Sequence, residues 1–206
     1  VMVGLAALSD GRTRSFIVWI LLAATFHKTA VLIIPLAALA ANRNRVWTTS
    51  WVGVTAMLGA WLFLADRSEF MWANYVESDY ADAASGAVVR VAMNVVPAVL
   101  LLVFRKQLIA NMGQRNLWVW MAVLALLCIP MLVLSKTATD RMALYFIPLQ
   151  VYVTARLPTL APSVRSRTAI VLAIILYYLV VQFVWLNFAS HAFAWLPYRL
   201  MPFWGP

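Results

Sequence analysis

Long apolar runs alternate along this chain with short polar turns, and the runs are apolar all round rather than striped on one face. Transmembrane strands would alternate apolar and polar residues, so helices are predicted as the spanning element. The first run, 1–8, reads as the tail of a helix and closes on Ser9-Asp10-Gly11-Arg12-Thr13-Arg14-Ser15. The second, 16–41, is apolar except for Thr25-Phe26-His27-Lys28-Thr29 at its middle and ends at Asn42-Arg43-Asn44-Arg45. Further spans are predicted over 47–65, 88–104, 117–134, 141–155 and 168–187. Two stretches do not fit as spans: a polar loop at 66–87, and a tail at 187–206 that its prolines break up. The chain opens on Val1 within an apolar stretch and lacks the charged start and cleavage site of a signal peptide. Residues 1–206 are therefore expected to be a single integral membrane domain, the C-terminal part of a longer protein.

Charge decides how the second run is folded. A single crossing by 16–41 would put the basic turns on its two sides in opposite compartments, against the positive-inside bias. A hairpin removes the conflict: two short helices of about 11 residues, each ~16 Å long, enter and return with the turn at His27-Lys28. Arg12, Arg14, Arg43, Arg45, Arg105, Lys106, Arg115, Arg156, Arg165 and Arg167 then face the cytoplasm. Arg67, Arg90, Lys136, Arg141 and Arg199 face outward, with Lys28 at the hairpin tip. The predicted fold is an all-α, polytopic transmembrane helical bundle of about six to eight membrane segments, including the hairpin at 16–41.

Composition agrees and removes alternatives. A hydrophobic share of 65% and a mean hydropathy of +0.86 exclude a soluble domain, whose apolar share is about 45–50%. The net charge of +9 would suggest nucleic acid in a soluble protein. Here the cations sit in short loops as topology signals, and no nucleic-acid partner is expected. The one cysteine, Cys128, lies within an apolar run, which excludes an internal disulfide and leaves a packing role.

Candidate chemistry gathers where polar residues interrupt the apolar runs. In the stretch from Ser135 to Pro148, Lys136, Asp140 and Arg141 stand together, and each charge would cost roughly 2.5–3.5 kcal/mol at a bilayer centre. The cluster therefore belongs at a membrane face or a wet cavity. Thr139 is placed to cap a helix starting at Asp140, with Arg141 and Tyr145 on one face of a cationic N-terminus suited to phosphate or pyrophosphate. The plainer reading is that these residues only punctuate two spans. His27 is either a histidine held by neighbouring carbonyls or a general base or phosphate donor, since imidazole exchanges protons near neutral pH. Arg90, Arg141 and Lys28 can together bind a pyrophosphate, with Asp140 as ion-pair partner of Arg141 or as base. The loop at 66–87 holds five of the seven acidic residues. With Tyr75 and Asp79 it offers the aromatic faces and acceptors of a sugar-binding surface, or it is simply a solvated loop. The tail, with Tyr198, is expected to be an outward interfacial segment covering the same cavity. No metalloprotease, P-loop, nucleophile-elbow, CxxC or dinucleotide motif occurs, and nothing requires a metal or cofactor.

Ala24-Thr25-Phe26-His27-Lys28-Thr29-Ala30, then Gly86 with Arg90 and Pro97, then Asp140-Arg141-Met142-Ala143-Leu144-Tyr145-Phe146, and finally Leu196-Pro197-Tyr198-Arg199, form an ordered set. That set resembles the EpsG family of exopolysaccharide polymerases, relatives of the Wzy O-antigen polymerases, over nearly the whole chain. The resemblance implies a GT-C-like, multi-pass bacterial inner-membrane glycosyltransferase that joins undecaprenyl-pyrophosphate-linked repeat units at the periplasmic face. It also implies membrane lipid and the chain-length and export proteins of a polysaccharide pathway as partners. His27 matches the family's FH motif, Arg90 the arginine after the glycine, and Arg141 and Tyr145 an Arg-x-x-x-Tyr element. A transporter or flippase for a lipid-linked glycan is the alternative, with the arginines as a head-group track. That reading calls for polar residues spread through several spans, whereas here they crowd at one face. A membrane acyltransferase lacks an evident His–acid pair.

Overall fold

The computed structural model describes residues 1–41, 45–65, 69, 73, 86–109, 111–189 and 192–194, and every regular element among them is helical. They fall into two compact units, Val1–Ala155 and Arg156–Pro206. In the first, α1 (Met2–Ser9) packs on α2 (Thr13–Phe26) through a turn at Gly11, whose φ of +76° suits a residue without a Cβ. Helix α2 ends at His27, which is extended, and a 3₁₀ segment, Lys28–Ile33, leads through Pro35 into α3 (Leu36–Ala40). Then follow α4 (Arg45–Leu64), α5 (Ala87–Val103), α6 (Arg105–Leu108), α7 (Arg115–Leu134) and α8 (Lys136–Ala143). A 3₁₀ turn, Leu144–Phe146, leads into α9 (Ile147–Arg156). The second unit contains α10 (Val164–Phe188), started by a capping box in which Ser163 and Ser166 satisfy each other's backbone N–H groups.

Among the described residues three helices, Val46–Leu64, Arg115–Leu134 and Val164–Phe188, are long and apolar enough to cross a membrane. Thr13–Phe26, Lys28–Ala40 and Ala87–Val103 are apolar but shorter. The break at His27 falls where the hairpin turn is predicted, and its two arms have different neighbours. Helix α2 lies on α1, whereas the 3₁₀ segment lies on α4 and α3 lies on both α4 and α7.

The core of the first unit is α5 on α7, with α8 against both. Ala98 on α5 and Ala122 and Ala125 on α7 are fully buried, the small residues that let apolar helices approach where lipid supplies no hydrophobic drive. Tyr152 of α9 stacks on Trp118 of α7 with ring centroids 3.7 Å apart.

Helix α8 corrects one expectation. Its cap is Ser135, whose hydroxyl accepts from the Ala138 N–H at 3.1 Å; Thr139 instead donates its hydroxyl to the Ser135 carbonyl at 2.7 Å. Ser135 wins because it is the first hydroxyl after the apolar run and sits at the extended residue where α7 ends. Asp140 and Arg141 thus lie inside a helical run, and the dipole and free N–H groups of a helix start are not beside them.

The next turn tightens to 3₁₀ because Pro148 lacks an N–H and its ring crowds the Leu144 carbonyl one turn back. The Ala143 carbonyl accepts from the Asn94 side chain at 2.8 Å, and Gln150 donates to the Asn94 Oδ1 at 2.7 Å. Asn94 and Gln150 are 1% and 4% exposed, so each satisfies a group whose loss would cost about 1–3 kcal/mol. Arg90 lies one turn before Asn94 and pairs with Asp140, which lies nearly one turn before Ala143. This register makes α5 and α8 run in the same direction and brings their first turns to one end of the bundle, opposite Arg105, Lys106 and Arg115.

Candidate active site

Three side chains meet at that end because the chain breaks twice. Extended backbone at His27 stops α2, and the 3₁₀ turn at 144–146 carries Tyr145 across to it. Thr29 stands between them: its Oγ1 is 2.8 Å from His27 Nδ1 and 2.6 Å from the Tyr145 hydroxyl. The Tyr145 hydroxyl is itself 3.4 Å from Nδ1, which closes a triangle between residues 116 and 118 positions apart. His27 is exposed, and Thr29 and Tyr145 are half-buried. Nδ1 is engaged within the triangle, and Nε2 has no partner among the described residues.

A second pair lies close by on the same helical run. Arg90, in the first turns of α5, forms an ion pair with Asp140; the side chains are 34% and 15% exposed. Asp140 precedes Tyr145 by five residues, about 7.5 Å of helix rise, so pair and triangle lie on successive turns in the first half of one helical run. The expected partnership of Asp140 with Arg141 is corrected here. Neighbouring residues on a helix point about 100° apart and cannot face each other, so Asp140 turns to α5 while Arg141 turns outward. Arg141 and Lys28 are exposed, and no described carboxylate pairs with either. With Arg90 neutralised by Asp140, Lys28 and Arg141 supply exposed positive charge to the site.

The structure therefore joins His27 to Tyr145 and Arg90 to Asp140, and leaves Arg141 and Lys28 as exposed cations of the same polar cluster. Tyr75, Asp79 and Tyr198 lie outside the described residues. Three contributors carry no sequence assignment: Thr29, Asn94 and Gln150. Thr29 stands inside the quoted Phe-His-Lys-Thr stretch, and its hydroxyl two residues after the histidine was the available signal. Asn94 and Gln150 were marked only by being amides within apolar runs, which membrane helices place where an interhelical partner exists.

Such an arrangement presents a hydrogen-bonding imidazole beside exposed cations, a suitable set for an anion with several phosphate oxygens. No curated protein and no solved structure matches the chain. The model of the EpsG family matches residues 1–200, from α1 through α10 and into the tail. A match of that extent, over a helical membrane chain, means that this protein belongs to the EpsG family.

Proposed function

We propose that this chain is the part of a membrane polysaccharide polymerase that holds a lipid pyrophosphate. A glycan passes from an undecaprenyl-pyrophosphate carrier to the terminal sugar of a second lipid-linked repeat unit, at the periplasmic face. Arg141 and Lys28 take the charge on the pyrophosphate as it leaves, Arg90 is held in place by Asp140, and His27 serves either as hydrogen-bond donor to that group or as base toward the accepting hydroxyl. Undecaprenyl pyrophosphate is the leaving group, and the accepting hydroxyl loses its proton to a base. Tyr75, Asp79 and Tyr198 are assigned to the sugar.

The observation that carries this reading is the meeting of His27 and Tyr145 through Thr29, three residues from two of the four stretches by which the sequence resembles the family. The buried amides also bear on the flippase alternative: Asn94 and Gln150 are spent on each other and on a carbonyl, and so offer no polar track through the bundle. Membranes containing the full-length protein, given lipid-linked single repeats, are expected to lengthen the glycan and release undecaprenyl pyrophosphate. Repeats that change leaflet without being joined would overturn the assignment in favour of transport.

A further inference from the structure

Resting on the pyrophosphate reading, we infer that Thr29 and Tyr145 lock neutral His27 in the tautomer that carries its proton on Nε2. The histidine is thereby a hydrogen-bond donor to a phosphate oxygen rather than a base. The protons available in the triangle select this tautomer. Three groups share two close contacts, Tyr145 Oη to Thr29 Oγ1 at 2.6 Å and Thr29 Oγ1 to His27 Nδ1 at 2.8 Å. Each hydroxyl has one proton to give, and a neutral imidazole has one nitrogen that gives and one that accepts.

Suppose first that Nδ1 holds the ring proton. It donates to Thr29, Thr29 donates to Tyr145, and the phenolic proton then finds no acceptor among the described residues. Suppose instead that Nδ1 is bare. Tyr145, the more acidic hydroxyl, donates to Thr29, and Thr29 donates to Nδ1. Both hydroxyl protons are then used within the triangle, and the donor left over is on the exposed imidazole rather than on the half-buried phenol. The ring proton is left on Nε2, the nitrogen without a described partner on an exposed side chain. Tyr145 is spent in this chain as a donor to Thr29. It acts through the histidine, and both it and Thr29 are positioning residues. Beside Lys28 and Arg141, an Nε2–H adds a directed donor to two diffuse charges, and a pyrophosphate oxygen is the ligand such a set recognises.

The tautomer can be read without any turnover. Nitrogen NMR on the full-length protein labelled at histidine reads the ring, with His27→Gln assigning its resonances. At a pH where His27 is neutral, a protonated Nε2 and a bare Nδ1 are expected. Thr29→Val should introduce the second tautomer and lower polymerisation at least tenfold, and Thr29→Ser should restore both. Inorganic pyrophosphate should move the Nε2 resonance. Undecaprenyl pyrophosphate in detergent should do so at lower concentration if the lipid-linked group is the natural source, and at equal concentration if free diphosphate is.

A proton on Nδ1 in the unaltered protein, or a Thr29→Val spectrum identical to it, would overturn the inference. So would an Nε2 resonance indifferent to both probes. Absence of polymerisation by the unaltered protein, with the tautomer and the pyrophosphate response intact, would remove the polymerase reading alone.

Discussion

Arg141→Ala is expected to abolish polymer while single lipid-linked repeats and membrane insertion persist. Arg141 is exposed and pairs with no described carboxylate, so its loss leaves no buried charge behind, and stability should move within about 0.5 kcal/mol. The transferring bond is another matter. In the proposed reaction charge develops on the leaving pyrophosphate, and removing one preorganised donor from such a site typically costs about 10²–10³ in rate. Arg141→Lys should recover part of the activity, since an ammonium keeps the charge and loses the two-pronged fork. A gel of extracted polysaccharide beside a blot for the protein decides it: normal polymer length in the alanine variant would reject the role.

The Arg90–Asp140 pair should behave differently, because it is partly buried. Arg90→Ala leaves a carboxylate stranded between α5 and α8, and Asp140→Ala leaves the guanidinium. Breaking a fully buried pair costs ~3–5 kcal/mol, and with Arg90 a third exposed the loss should be on the order of 1–3 kcal/mol. Removing both charges should return most of that stability, since neither is then unpaired. Activity should not return with it, because the double variant lacks the cation that Asp140 holds in place. Thermal melts in detergent, read beside polymer synthesis, separate the two effects: a double variant that is stable and fully active would make the pair purely structural.

The helices were legible because nothing in their sequence competes with them. Apolar runs of membrane length leave the backbone no other way to satisfy its N–H and C=O groups, and the predicted span 88–104 differs from Ala87–Val103 by one residue at each end. The faces of those helices were not legible. Helix α7 is apolar all round and has no stripe to say which side meets a neighbour, so its lateral contacts with α5 and α8 could not be read from periodicity.

The site was half legible for a related reason. His27, Arg90, Asp140, Arg141 and Tyr145 stand out as polar residues in apolar surroundings, but which of them pair depends on helix phase and register. Adjacency in sequence suggested Asp140 with Arg141, and helix geometry forbids that pairing. Ser135 and Thr139 are both competent caps, and only the point at which α7 ends selects between them. Thr29 went unassigned because a threonine near a helix break has many local uses, and its partner Tyr145 is 116 residues away.

The account depends on the polar cluster facing the outer compartment, where Lys28 and Arg141 meet the lipid pyrophosphate. Single cysteines placed at 28 and 141, in the full-length protein with every native cysteine replaced, can be reacted in spheroplasts with a maleimide that does not cross membranes. Both positions are expected to label in spheroplasts without permeabilisation, and undecaprenyl pyrophosphate should slow the reaction. Labelling at either position only after the inner membrane is opened would contradict the account.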